Sequence, residues 1–96
     1  MIKSFRKKEL KSFWEEEVTK GLPPKCISRI AKILNLINQI NTINDLGSFV
    51  TSSYRVHKLK SPPFIGYYSM DVTGNYRIVF ELIDGDVYNI DFLDTH

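Results

Sequence analysis

Polar residues that could move protons or hold a phosphate stand on three predicted strands of this 96-residue sequence. An imidazole, with an unperturbed pKa of about 6.5, can take or give a proton near neutral pH. Arginine and lysine can hold a phosphate and offset charge that develops on phosphorus, and a carboxylate can orient an imidazole. This set suits metal-independent cleavage of RNA, in which the 2′-hydroxyl is the internal nucleophile. The residues are Arg55, His57, Lys58 and Lys60 on one strand, Arg77 on another, and Asp94 and His96 on a third.

Each of these residues also has an ordinary explanation as a surface group. A single histidine on a strand is more often solvent-facing than catalytic, and a terminal residue such as His96 is more often frayed. Strand alternation puts Lys60 on the side opposite His57, so the break at Ser61 must turn Lys60 before the two can meet. The chemical interpretation therefore depends on the whole set of residues.

Other kinds of site have little support in the sequence. It has no P-loop, dinucleotide fingerprint, nucleophile elbow or metal-type Cys/His cluster, so we expect neither a cofactor nor a resident metal. The single cysteine, Cys26, excludes an internal disulfide and fits a reducing compartment. There is no signal-peptide pattern and no apolar run near the ~18 residues of a membrane helix, so we expect a cytoplasmic protein without membrane contact.

The formal net charge of +2 is unevenly distributed. Residues 1–32 hold nine lysines and arginines against four acidic residues, whereas residues 33–96 hold four against seven. A basic half of this kind could meet nucleic acid. On charge alone, ordinary solvated helix faces are the simpler explanation.

The elements that must carry these residues follow from the hydrophobic pattern, and the chain predicts a single domain over residues 1–96. Residues 1–6 are predicted to form a short strand. Residues 7–20 predict a helix whose apolar stripe includes Leu10 and Trp14, ending at Gly21. A second helix is predicted from Pro23-Pro24 to about Ile40, giving an αα-hairpin laid on a sheet.

The second half of the chain predicts a loop and four extended segments. The polar residues 41–53 predict a loop, followed by strands at 54–59, 65–72, 76–83 and 87–93. Asp84-Gly85 between the last two is a strong hairpin signal. Simple alternation predicts that Tyr88, Ile90 and Phe92 form the core face of the last strand. The expected fold is α+β, with an N-terminal strand, an αα-hairpin and an antiparallel β-meander.

These motifs, in this order and spacing, resemble the HigB "host inhibition of growth" killer toxins of the RelE/ParE toxin–antitoxin superfamily. The resemblance covers nearly the whole chain. It includes Met1-Ile2-Lys3-Ser4-Phe5-Arg6, Tyr54-Arg55-Val56-His57-Lys58-Leu59-Lys60, Gly66-Tyr67-Tyr68-Ser69, Gly74-Asn75-Tyr76-Arg77-Ile78, Asp84-Gly85-Asp86 and Asp91-Phe92-Leu93-Asp94-Thr95-His96.

The resemblance implies a small RelE-like α+β toxin that cuts mRNA in the A site of the 70S ribosome. It also implies neutralisation by a helix-turn-helix antitoxin, through which alone the toxin would reach operator DNA. By position, the implied active-site residues are His57, Lys60, Arg77, Asp94 and His96. The implied contacts to RNA are the basic residues Lys7, Lys8, Lys11, Arg55 and Lys58, since cations on phosphates add affinity without reading sequence.

Three positions depart from the family pattern. Thr95 replaces the usual tyrosine, whose ring could stack on a base. Ser61-Pro62-Pro63 stands where a glycine-containing turn is common, and Lys58 replaces a frequent proline. Two alternatives stay open at this point. One is a non-catalytic toxin of the ParE kind that binds DNA gyrase, and the other is a relic that only binds its antitoxin.

Overall fold

The computed structural model describes residues 1–95, so the candidate residue His96 lies outside the described residues. The four strands form one antiparallel sheet in chain order, which confirms the predicted α+β class and β-meander. Short 3-10 turns at Pro24–Cys26 and Ile43–Leu46 precede α2 and α3. The elements are α1 (Lys8–Glu16), α2 (Ile27–Gln39), α3 (Gly47–Ser53), β1 (His57–Lys58), β2 (Tyr68–Asp71), β3 (Tyr76–Ile83) and β4 (Asp86–Asp94).

The β3–β4 hairpin forms where the sequence predicts it. Asp84 and Gly85 both take positive φ, at 50° and 84°. A two-residue turn with positive φ at both positions has the twist that antiparallel strands need, and these residue types tolerate it. The hairpin therefore has the longest paired strands of the sheet.

The predicted core face of β4 is wrong at Tyr88. The register with β3 shifts by one residue beside Asn89, whose φ is 53°. This bulge inserts one residue and so reverses the alternation on its N-terminal side. Val87 is consequently fully buried together with Ile90, whereas Tyr88 is half-buried. Phe92, beyond the bulge, is buried as predicted.

The N-terminal residues lie beside β4, but the predicted strand at residues 1–6 is reduced to two isolated parallel bridges, at Ile2 and Phe5. The N–H of Lys3 donates to the Val87 carbonyl at 2.7 Å, and the N–H of Arg6 donates to the Ile90 carbonyl at 2.8 Å. Between them, the Asn89 N–H goes to the Ser4 hydroxyl instead of the backbone. The β4 bulge therefore interrupts the ladder.

The first helix ends earlier than predicted. Glu17, not Gly21, takes the left-handed conformation that stops α1, at φ 59°, and its N–H donates to the Phe13 carbonyl. Pro24 opens a 3-10 turn that leads into α2, and α2 ends before Ile40, as the pattern indicates.

The predicted loop at 41–53 is wrong, because it contains a 3-10 turn and α3. The Asp45 carboxylate accepts the N–H groups of Asn41 and Thr42 at 2.9 and 3.0 Å. These hydrogen bonds hold the pKa of Asp45 below its ordinary value. Polar residues that resemble a loop thus satisfy the free N–H groups at a helix start.

Two predicted strands are much shorter in the structure. The one predicted at 54–59 keeps only His57–Lys58, because Arg55 takes a left-handed backbone with φ 47°. The one predicted at 65–72 keeps Tyr68–Asp71 and starts after Gly66, whose φ is 85°. The edge of the sheet is therefore short and irregular.

The core lies between the helices and one face of the sheet. Met70, Ile78 and Phe92 are register partners on that face and belong to one buried cluster with Leu10 of α1 and Leu34 of α2. Within residues 1–95, the helices lack the length and apolar character needed to cross a membrane. The opposite face of the sheet, called the site face below, carries His57 and Arg77.

Candidate active site

The first row of the site face contains His57. It pairs with Ser69 of β2, which pairs with Val79 of β3, which pairs with Asp91 of β4. Register partners share a face, and this row alternates with the core row through Met70. His57 thus lies on the site face at the edge strand and is exposed.

The second row contains Arg77. It pairs with Asp71 on one side and Leu93 on the other, two residues along from the first row. Arg55 reaches this row through its side chain, which contacts Asp71. Two strand spacings across and two residues along separate the Cα atoms of His57 and Arg77 by roughly 12 Å. Both side chains can therefore approach one phosphodiester from opposite sides.

A local hydrogen bond fixes the tautomer of His57. Its Nδ1 lies 2.8 Å from the Arg55 carbonyl oxygen. A carbonyl can only accept, so Nδ1 carries the proton, and in the neutral imidazole Nε2 keeps the lone pair. The ring is thus prepared to take a proton at Nε2.

Arg77 is held by a buried carboxylate. Asp71 forms a hydrogen-bonded ion pair with Arg77 Nη1, and its other oxygen lies 3.6 Å from Arg55 Nη1. The side chain of Asp71 is 12% exposed and that of Arg77 is 25% exposed. A guanidinium has five N–H donors, so one contact at Nη1 leaves others for an incoming phosphate.

A third arginine supports the same strand end from behind. Arg29 of α2 donates to the backbone carbonyls of Asp71 and Ser53, at 3.5 and 3.2 Å. Its guanidinium also lies over the Tyr54 ring, 4.1 Å from the centroid. The second row is therefore tied to the helical layer as well as to the sheet.

The other end of the site face is covered by an aromatic and charged cluster. Arg6 lies 5.1 Å from the Phe64 ring centroid and 3.6 Å from the Asp91 carboxylate. Phe64 packs edge-on against Tyr67. Burial, followed by the charge of Glu81, raises the pKa of the Tyr67 hydroxyl, so it stays protonated at neutral pH. The open part of the face is thus the region around His57 and Arg77.

The remaining candidate residues are not brought together with His57 and Arg77 on the site face. Asp94 pairs with Tyr76 and follows Phe92 in the alternation, which puts it on the face opposite Arg77, at the end of β4. Lys58 also lies opposite His57, with Nζ 5.6 Å from the Tyr68 ring centroid. Lys60 is exposed in the segment after β1. The catalytic roles of Asp94 and Lys60 stay predictions.

The basic residues near α1 belong to the helical layer. Lys7 precedes the helix, and its N–H donates to the Ile90 carbonyl at 3.2 Å. Lys8 and Lys11 are exposed on the helix that inserts Leu10 into the core. Their predicted contacts with RNA are separate from the site face.

Sequence reasoning missed Asp71, although a signal for it exists. The predicted turn at 73–75 is centred on Gly74, and Asp71 and Arg77 lie equally far from that glycine. A hairpin with that centre makes them cross-strand partners of opposite charge. Across residues 1–95, no three His, Cys, Asp or Glu side chains come together in a way that could hold a metal ion.

Comparison with known proteins adds two findings. The family model described as the RelE-like toxin of type II toxin–antitoxin system HigB matches residues 3–96. The chain is also 38% identical over 96 residues to a protein of Proteus vulgaris named endoribonuclease HigB, and the match covers the full length of both.

Proposed function

The chain belongs to the HigB-like, RelE-like toxins of type II toxin–antitoxin systems, and we propose that it arrests growth as a ribosome-dependent endoribonuclease that cuts mRNA in the A site. Membership in this family implies a cognate antitoxin as partner. The endoribonuclease activity is supported by the name of the full-length relative. We further propose a cytoplasmic location, a helix-turn-helix antitoxin and contact with operator DNA only through that antitoxin.

The proposed reaction is attack of the 2′-hydroxyl oxygen on the adjacent phosphorus. A base removes the 2′ proton, the P–O2′ bond forms, the P–O5′ bond breaks, and an acid protonates the departing 5′ oxygen. The products are a 2′,3′-cyclic phosphate and a 5′-hydroxyl. Because the nucleophile is part of the substrate, the protein needs only a base, an acid and cations.

The observation that supports this proposal is that His57 and Arg77 lie on the same face of the sheet. His57, with Nδ1 bonded to the Arg55 carbonyl, suits the role of base through Nε2. His96 is then the acid, and Asp94 orients or tunes a histidine. Arg77, with Lys60, offsets charge on the phosphorus. Lys7, Lys8, Lys11, Arg55 and Lys58 add contacts to rRNA or mRNA phosphates.

The test is cleavage by the purified protein of mRNA on programmed ribosomes, with chemical mapping of the new ends. Arg77→Ala should reduce the cleavage rate about a hundred- to a thousandfold, because it removes charge where phosphate charge develops. Arg77→Lys should recover only part of the rate, since lysine lacks the planar fork. The matched control is Arg6→Ala, which removes the same charge from the same face and should keep the rate.

Three outcomes would contradict the proposal. Fragments with 5′-phosphate ends would exclude attack by the 2′-hydroxyl. Full activity of Arg77→Ala at equal protein concentration would remove the phosphate role. Intact mRNA together with lost DNA supercoiling would instead support a gyrase-binding toxin.

A further inference from the structure

Asp71 is the only acidic residue among residues 1–95 that is buried. It belongs to neither the predicted catalytic set nor the predicted RNA contacts. A buried carboxylate is costly unless cations and hydrogen bonds compensate it. Here both of its oxygens face arginines, Arg77 at Oδ1 and Arg55 at Oδ2.

The backbone of Asp71 is fixed as firmly as its side chain. Its N–H donates to the Tyr54 carbonyl at 2.7 Å, and its carbonyl accepts from Arg29 Nε at 3.5 Å. The carboxylate therefore projects from a position held by the sheet, by the segment before β1 and by α2. It is a rigid reference point for the two arginines.

These contacts connect the two halves of the site. Through Arg77, Asp71 holds the group that would meet the phosphate. Asp71 also contacts Arg55, whose backbone carbonyl accepts a hydrogen bond from His57 Nδ1 at 2.8 Å. Arg55 has a left-handed backbone, so its side chain and carbonyl are set by one unusual conformation.

We propose that Asp71 is a positioning residue that holds Arg77, and through Arg55 the His57 ring, in the geometry of cleavage. This inference rests on the proposed function. Asp71 also adds one negative charge to the basic surface, so it lowers electrostatic affinity for RNA while it improves orientation. Its removal is therefore expected to lower the turnover number without weakening binding.

Asp71→Asn tests this split, because it keeps the size of the side chain and removes the charge. Misplacement of a reacting group by about 1 Å can cost on the order of a hundredfold in rate, so we expect kcat to fall roughly ten- to a hundredfold. We expect KM for programmed ribosomes to fall or hold, and its dependence on salt to steepen by about one phosphate contact. A purely structural role would lower the melting temperature and reduce activity only with the folded fraction.

The matched control is Asp91→Asn. Asp91 is a half-buried carboxylate on the same face that pairs with Arg6 instead of Arg77. Asp91→Asn removes the same charge as Asp71→Asn, so it should have the same effect on KM and should leave kcat unchanged. The difference in kcat between the two variants isolates the contact with Arg77.

A double-mutant cycle with Arg77→Ala completes the test. If Asp71 acts mainly through Arg77, Asp71→Asn should change kcat less than threefold in the Arg77→Ala background. Nitrogen-15 spectra of the arginine side chains supply a readout independent of cleavage. The Arg77 guanidinium signals should show faster rotation in Asp71→Asn and remain unchanged in Asp91→Asn.

The failure of this inference can be told from failure of the proposed function. A wild-type protein that cuts no mRNA overturns the proposed function. An active wild type whose Asp71→Asn variant keeps its kcat overturns the positioning role alone. A rise in kcat/KM with unchanged kcat also overturns it, since Asp71 would then only compete with phosphate for Arg77.

Discussion

The central hairpin and the edge of the sheet contribute different halves of the candidate site. Arg77 lies on β3, an eight-residue strand that is paired on both sides, to β2 and to β4. His57 lies on β1, a two-residue edge strand that is paired only to β2. The half proposed to bind phosphate is therefore held by the fold, whereas the half proposed to transfer protons is held by local contacts.

The two regions differ in how a side chain is oriented. Arg77 emerges from continuous ladders and meets the buried Asp71 directly. The His57 ring depends on one hydrogen bond to the Arg55 carbonyl. Backbone paired on two sides opens rarely, whereas short edge pairs exposed to solvent open more readily. We infer that the geometry of the base is the more easily disturbed of the two.

The largest expected effect comes from the edge. His57→Ala should lower the cleavage rate about a hundred- to ten-thousandfold, the usual contribution of a general base or acid. Its melting temperature should change little, because His57 is exposed on a two-residue strand. Cleavage on programmed ribosomes and thermal unfolding of the same preparation test both expectations.

The control for that variant is Ile65→Ala, also at the edge and 63% exposed. It should keep both the cleavage rate and the melting temperature, since substitutions of exposed side chains usually change the free energy of unfolding by less than about 0.5 kcal/mol. A His57→Ala protein that cleaves within threefold of wild type would remove His57 from the reaction.

The central hairpin was predictable from sequence for a physical reason. Asp84-Gly85 specifies a turn by its own conformational preferences, and the flanking runs of β-branched and aromatic residues need no distant partner to be recognised. Periodicity located α2 for the same reason. Local signals therefore predicted the part of the fold that holds Arg77.

The edge and the bulge were not predictable in this way. The left-handed backbone of Arg55 interrupts the predicted strand near its start, and nothing in the residue type favours it. The bulge at Asn89 depends on contacts outside its own strand: the distant Ser4 hydroxyl accepts its N–H, and Glu81 on β3 accepts from its side-chain amide. Strict alternation of side chains along β4 therefore predicted the wrong face for Tyr88. Likewise, the pairing of Asp71 with Arg77 could be predicted only from the register of the β2–β3 hairpin together with the sequence motifs.

The second expected effect concerns His96, which follows the firmly paired β4. Deletion of this residue alone should lower the cleavage rate about a hundred- to ten-thousandfold if it is the acid. The deletion keeps Thr95, whose N–H and hydroxyl donate to the Asn75 carbonyl at 2.7 and 2.9 Å. The free energy of unfolding should therefore change by less than about 1 kcal/mol.

The matched control is Thr95→Val, which removes the hydroxyl donor and keeps His96. It should lower the free energy of unfolding by about 0.5–1.5 kcal/mol, as for loss of one hydrogen bond, and keep the cleavage rate. If the His96 deletion kills cells as efficiently as the wild type at equal expression, catalysis depends on His57 without a second histidine.

The smallest expected effect comes from variants that test the backbone conformation of Arg55 at the edge of the sheet. Arg55→Gly and Arg55→Ala both remove the contact with Asp71, a pair whose arginine is 71% exposed and which contributes little to stability. They differ in the left-handed conformation at φ 47°, which costs alanine about 1–2 kcal/mol. Glycine adopts it freely but loses about 0.5–1 kcal/mol more in backbone entropy. The glycine variant should therefore be at least as stable as the alanine variant, and the more stable by up to about 1.5 kcal/mol in urea unfolding. Both keep the carbonyl that accepts from His57 Nδ1, so their cleavage rates should agree within threefold. An alanine variant more stable than the glycine variant, by about 0.5–1 kcal/mol, would show that the edge does not hold Arg55 in the left-handed conformation, and the orientation of His57 would then need another cause.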